Sequence, residues 1–359
     1  MRYRLYTRTE KAWDAMLQAI ANAKTSIYWE CYIILDDTPA HRFFEVLAQK
    51  AREGLNVKIV IDSYGVFWDT MSGVEEKLRK AGVEVLYFHS LVPWWNPVRF
   101  RNWWFMRNHR KVLIVDERIG FVGGVNVGEE FRKWFDLHMR VEGAMVKQLL
   151  RSFARTYCSS GGKSRVLRSL ATKQPLLIDR AKAYYFAHAP TARRSQLRTY
   201  YMNAFKTAKE RITIVTPYFM PHRWFLDALS QARARGVRVE VILPQQSENG
   251  LVTRINQFFA CQAAHRGITV LLFEKMNHAK AVLVDGVEGM IGSSNIDANS
   301  FDNNWEANVV FQRRDMVKAL ERIIGRWKQS AHDFRCLPHH GGLVNRLMKG
   351  LVGALHSFM

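Results

Sequence analysis

The spacing of apolar and polar positions repeats across the chain. Ala19-Ile20-x-x-Ala23-Lys24-x-x-Ile27 returns 185 residues later as Ala204-Phe205-x-x-Ala208-Lys209-x-x-Ile212, a helix-spaced pattern running into a strand. An apolar strand follows each copy, SIYWECYII at 26–34 and RITIVTPYF at 211–219. A helix comes next, and then a glycine leading into another strand, Gly54 before VKIVID and Gly236 before VRVEVIL. A further helix and strand end in AGVEVLYF (81–88) and RGITVLLF (266–273), with Gly82 and Gly267 again 185 apart. Each half therefore reads β-α-β-α-β with more strands behind it, which predicts a duplicated α/β fold.

Beyond Phe88 and Phe273 the halves diverge, because residues 89–108 fill a gap that 274–277 fill in the second half. Past that insertion of 16 residues they realign, and His109 falls on His278. The first half reads NHRKVLIVDERIGFVGGVN and the second NHAKAVLVDGVEGMIGSSN, both H-x-K-x-x-x-x-D followed by six residues and G-x-x-N. One such H-x-K-x-x-x-x-D is expected by chance ~0.025 times in a chain of this composition, and two at equivalent positions far less often.

The spacing has chemical content. Residues i and i+2 of a strand share a face, so His109 projects with Lys111 and His278 with Lys280. An imidazole beside an ammonium is a poor metal site but suits a phosphate. A strand turn returns Asn126 and Asn295 as donors, and Ser293 joins them as a candidate for phosphate binding. Two half-sites meeting at a pseudo-twofold interface would surround one phosphodiester. One imidazole attacks phosphorus while the other protonates the departing alcohol, after which the roles reverse. No metal or cofactor is called for. Asp116 and Asp285 complete the catalytic motif, with a structural partnership as their first reading and proton transfer as the second.

Charge narrows the partner. With 359 residues the chain is long enough for two domains or three, and 53 basic against 32 acidic residues leave a net +21. That balance points to an anionic partner, nucleic acid or an anionic membrane surface. Cys31, Cys158, Cys261 and Cys336 are far apart without a C-x-x-C pair, so neither a disulfide framework nor a zinc site is expected, and a reducing compartment is the default. The first residues are charged throughout, and nowhere do 18 apolar residues run uninterrupted, so neither an export signal nor a spanning helix is expected.

At the paired motif the chain resembles the phospholipase D superfamily, over about residues 10–335. Within it the chain looks most like bacterial cardiolipin synthases, judged from IYWECYIILDD, from GGVNVG with WFDLHMRVEG downstream, and from GSSNIDANSFDNNWEANVVF. The resemblance implies two pseudo-twofold-related α-β-α sandwich domains with a shared interdomain active site. It implies that His109 or His278 is the nucleophile and the other the acid/base, His109 being favoured by analogy, with Lys111, Lys280, Asn126 and Asn295 holding phosphate. Asp136, 27 residues past His109, and Glu306, 28 past His278, match carboxylates that orient a histidine, each expected on the histidine of the opposite half. The domains expected are 1–157, a basic linker at 158–194, 195–335, and an amphipathic C-terminal helix at 336–359.

Many bacterial cardiolipin synthases begin with transmembrane helices, which this chain lacks, so another route to lipid is expected. Trp94, Trp95, Trp103 and Trp104 lie with three arginines in the insertion, a composition suited to a headgroup boundary or to a lid packed on the core. In the C-terminal segment Leu347, Leu351, Leu355 and Phe358 share one helical face, suited to an interface or to docking on protein. The activity implied is a phosphatidyltransferase that makes cardiolipin from phosphatidylglycerol and a second phospholipid, releasing glycerol. It would work peripherally on the cytoplasmic face of the bacterial inner membrane. The alternatives are a phospholipase with water as acceptor, a superfamily nuclease, and a non-enzymatic basic membrane scaffold.

Overall fold

A computed structural model describes residues 1–66, 72–89, 106–173, 182–190 and 195–336. The four insertion tryptophans and the four apolar residues of the C-terminal segment lie outside the described residues. The duplication read from the sequence is a duplication of topology. In the first half, β2 (Ser26–Cys31), β3 (Asn56–Asp62) and β4 (Glu84–Phe88) run parallel, and β5 (Val112–Val115), β6 (Ile119–Gly123) and β7 (Phe135–Glu142) extend the sheet antiparallel. With β1 (Arg2–Arg8) at the edge, the order is β1-β7-β6-β5-β2-β3-β4.

In the second half β9 (Arg211–Val215), β11 (Arg238–Pro244) and β12 (Thr269–Phe273) take the parallel positions. The antiparallel ones fall to β13 (Ala281–Val284), β14 (Glu288–Gly292) and β16 (Glu306–Phe311). Here both edges carry an extra strand, β17 (Ala331–Asp333) beside β12 and β8 (Ala183–His188) beside β16. A short parallel pair, β10 (Phe219–Met220) and β15 (Ile296–Asp297), lies apart from both sheets.

Helices cover the sheets because each strand is apolar on both sides. In β5, Leu113 and Val115 face an outer core with Trp13, Ile20, Phe43 and Leu47 of α1 (Thr9–Ala21) and α2 (Thr38–Arg52). Val112 and Ile114 face a central core, where they meet Leu149 and Phe153 of the helix Ala144–Ser159. That central core also takes in Ala281 and Leu283 of β13 and Leu320 and Ile324 of the helix Arg314–Gln329. Val282 and Val284 turn instead toward a third core under the second half's outer helices, with Phe205, Phe225 and Phe259. The two halves thus share one inner apolar layer, and the apolar quartets VLIV and AVLV read as buried strands because they are covered on both faces.

Two expectations are corrected here. The stretch 158–194 is more than a linker: it holds the helix Arg165–Thr172 and β8, whose pairing with β16 makes it part of the second sheet. Cys261 and Cys336, expected to be unpaired, are joined in a disulfide with their Cα atoms 5.2 Å apart. A sequence separation of 75 hides the pairing; it arises because β17 returns antiparallel along β12 beside the helix Gly250–Ala264. Cys31 and Cys158 are free thiols. Among the described residues no helix is long and apolar enough to cross a membrane.

Candidate active site

His109 and Lys111 lead directly into β5, and His278 and Lys280 into β13. Each hairpin then reverses the chain, so that Asn126 beyond β6 and Asn295 beyond β14 return to the strand end the histidines occupy. Backbone pairing between the halves fixes each histidine against the other half. The His109 N–H donates to the Trp305 carbonyl at 3.0 Å and the His278 N–H to the Phe135 carbonyl at 2.7 Å. The residue after each acceptor is a carboxylate. Glu306 receives His109 Nδ1 at 3.0 and 3.1 Å, and Asp136 receives His278 Nδ1 at 2.8 Å. Each imidazole is thus held by a carboxylate of the opposite half, a crossed arrangement that leaves both Nε2 atoms for chemistry.

The cations complete the cluster. Lys111 Nζ donates to the His109 carbonyl at 2.8 Å and lies 4.6 Å from the centre of the Tyr32 ring, whose edge packs on His109. Lys280 Nζ donates to the His278 carbonyl at 2.5 Å. The two histidines and two lysines are 2 to 5% exposed. The amide oxygens of Asn126 and Asn295 are buried without a hydrogen-bond partner among the described residues; a phosphoryl oxygen would take the NH₂ end of either amide rather than this acceptor.

Burial sets the electrostatics. Both imidazoles are pushed down to about 4, first by desolvation; Lys111 and Lys280 add to the fall, and the partner carboxylates oppose it. The lysine of each half acts on the histidine of the other, so the four groups titrate as one site. Desolvation also lowers Lys280 to about 8 and Lys111 well below its usual value. Burial is the largest influence on Glu306 and would raise it, but His109, Lys111 and Ser293 together outweigh it and hold the carboxyl below its usual range. A histidine depressed from about 6.5 to about 4 is neutral in the fold, so its contribution to stability is complete above pH 6.5 and lost as the pH falls toward 4.

A dianion between the lysines reverses that balance by favouring a charged imidazole. Sulfate binding at about pH 6 is therefore expected to take up a proton. Calorimetry in buffers of different ionisation enthalpy checks this, and identical binding enthalpies in all of them would refute it.

The motif aspartates take the structural partnership of their first reading and not the catalytic place of their second, and Ser293 leaves the phosphate site. Asp116 and Asp285 are away from the site, at the far ends of β5 and β13. Asp116 accepts the backbone N–H groups of Lys24, Thr25 and Ser26 at 2.7 to 3.1 Å, and Asp285 those of Lys209, Glu210 and Arg211 at 2.8 Å. Each opens a tight hairpin with φ of +53° and +52°, a conformation that aspartate tolerates better than most residues, and each ties that turn to the start of the neighbouring strand. Ser293 points its hydroxyl at Glu306 rather than into the phosphate site, and Ser300 donates to the same carboxylate at 2.7 Å. The first half has no such hydroxyl, since a Cβ at Gly124 would lie 2.2 Å from Asp136 Oδ1.

Other residues escaped the sequence reading. Arg110 fills the position between His109 and Lys111 where the second half has Ala279. It is buried and donates to the Glu306 carbonyl at 3.2 Å, the His188 carbonyl at 2.9 Å, and the hydroxyls of Ser152 and Thr156. One side chain therefore fastens the first motif to the second half, and the Arg/Ala asymmetry is the signal that could have revealed it. Asp62, raised to about 6 by burial, accepts the Asn108 N–H at 2.6 Å and pairs with Arg107, holding the approach to His109.

The family described as "Cardiolipin synthase, PLD-like domain" matches residues 16–157 and again 201–327. A cardiolipin synthase of Listeria monocytogenes serotype 4a (strain HCC23) is 30% identical over 328 residues, 88% of this chain and 67% of its own length. One from Geobacillus kaustophilus (strain HTA426) is 29% identical over 329 residues, 88% of this chain and 64% of its own. The chain thus spans 64 to 67% of the length of these relatives. The crystal structure of phosphatidylserine synthase from Haemophilus influenzae Rd KW20 superposes with a TM-score of 0.76 at 14% identity, covering 99% of this chain and 94% of that one, which marks a shared fold. With the family matched twice, once on each half and each time across the paired motif, the chain belongs to the cardiolipin synthase family of PLD-like domain proteins.

Proposed function

We propose that the protein is a phosphatidyltransferase that makes cardiolipin from phosphatidylglycerol and a second phospholipid, working at a membrane surface on its cytoplasmic face. The observation that carries this reading is the crossed pairing of His109 with Glu306 and His278 with Asp136. A carboxylate on Nδ1 leaves the Nε2 lone pair for attack and stabilises the imidazolium that forms in its place.

In the first step His278 enters as the imidazolium, its proton taken up as the anionic phosphodiester binds between the lysines; His109 Nε2 forms a bond to phosphorus, the bond from phosphorus to the glycerol oxygen breaks, and His278 Nε2 delivers that proton to the oxygen. In the second, His278 takes a proton from the hydroxyl of a second lipid, whose oxygen displaces His109 and leaves as cardiolipin. Lys111, Lys280, Asn126 and Asn295 bind the phosphoryl oxygens, where charge grows in both transition states. The net +21 draws the chain to anionic headgroups.

The test incubates the purified protein with phosphatidylglycerol vesicles, without added metal, and identifies the products by mass spectrometry. Cardiolipin and glycerol in equal amounts are expected. Phosphatidic acid and glycerol without cardiolipin would replace the lipid acceptor with water, and an unchanged lipid would turn the search to nucleic acid.

A further inference from the structure

Outside the paired motif, the described residues hold one group of three soft or borderline metal donors. Cys261 and His265 lie four positions apart at the end of the helix Gly250–Ala264, the spacing by which a helix sets two ligands on one face. Cys336 approaches from just beyond β17, and the ligand atoms of all three lie within 4.8 Å of one another. The structure draws the two sulfurs as a disulfide. A disulfide is uncommon where thiols are kept reduced.

We propose that in the reduced protein Cys261, His265 and Cys336 bind a zinc ion, which fastens the end of β17 to the helix beneath it. Two thiolates and an imidazole are a zinc donor set, with bonds of about 2.3 Å to sulfur and 2.0 Å to nitrogen. Those bonds place tetrahedral ligand atoms roughly 3.5 to 3.8 Å apart. The imidazole therefore needs to close on the sulfurs by about 1 Å, and the two sulfurs, about 2 Å apart when bonded, to part by nearly 2 Å. A cavity of about 640 Å³ opens beside the two cysteines, lined also by Gln257, His332 and Asp333, so the sulfurs have room to separate. Disulfide and metal exclude each other: reduction adds two electrons and two protons to the sulfurs, and zinc then displaces the two thiol protons. The site is independent of the catalytic reading, because it involves none of the same side chains.

The experiment uses the full chain without an affinity tag, reduced with a water-soluble phosphine, which supplies the two electrons and ends as its oxide. Cobalt(II) added to the reduced protein is expected to give thiolate-to-metal charge-transfer bands and the strong visible absorption of a tetrahedral site, both removed by about one equivalent of zinc. Cys336→Ser and His265→Ala are each expected to weaken zinc roughly tenfold to a hundredfold in competition with a chromogenic chelator. The oxidised chain should show no thiolate bands. A reduced wild-type protein that gives cobalt no thiolate bands overturns the proposal, whatever the variants do, as does zinc affinity unchanged in His265→Ala.

Discussion

Replacing His109 with alanine is expected to remove the covalent intermediate altogether, whereas His278→Ala should trap it. Both substitutions lower cardiolipin formation by on the order of 10⁴-fold or more, since each takes away one of two groups that act together. They part when the leaving group changes. A phosphatidyl ester of p-nitrophenol needs no proton on departure, so the first step with His278→Ala proceeds without its acid. One equivalent of nitrophenol is then released in a burst, and the enzyme stalls as the phosphatidyl-histidine because nothing activates the second alcohol. His109→Ala releases none, since the atom that attacks phosphorus is gone. Acid-labile, base-stable phosphatidyl label on the His278→Ala protein reads the intermediate directly. The reverse pattern would make His278 the nucleophile and require the sequence of roles to be exchanged.

Most of what gives the site its symmetry was legible in the chain, because it rests on local spacing. His109 with Lys111 and His278 with Lys280 follow from strand alternation, and the return of Asn126 and Asn295 follows from a hairpin of predictable length. The crossed placement of Asp136 and Glu306 came through family resemblance, and the hydrogen bonds to the opposite histidines match it. Other features had no local signal. A motif aspartate four residues beyond the apolar quartet's start could face either strand end, and only the left-handed turn at Asp116 and Asp285 sends it to the strand start nearby. Ser293 reads as a phosphate-binding candidate in the sequence, yet its partner is Glu306, 13 residues away on the next strand but one in sequence. Arg110 and the Cys261–Cys336 pair depend on elements that meet only after both sheets have formed, where spacing along the chain carries no information.

The carboxylate behind the nucleophile offers the second large effect. Glu306 accepts three hydrogen bonds, from His109 Nδ1 and from the hydroxyls of Ser293 and Ser300. Glutamine keeps the volume but has one acceptor oxygen and brings two N–H donors. If the oxygen stays with the serines, the amide faces His109 and drives its proton from Nδ1 to Nε2, occupying the lone pair that must attack phosphorus. Glu306→Gln is therefore expected to lower kcat by on the order of 10³ to 10⁴, with KM little changed because the phosphate donors remain in place. The loss of a charge that holds the His109 pKa up also lowers that pKa further. Asp136→Asn acts on His278 instead, so the nitrophenyl ester should restore its first step and leave that of Glu306→Gln impaired. Ser293→Ala removes one brace while keeping the carboxylate, and should cost far less, about tenfold. Glu306→Gln retaining activity within tenfold of wild type would show that the tautomer of His109 is set elsewhere; a restored first step for Glu306→Gln but not for Asp136→Asn would again exchange the two histidines.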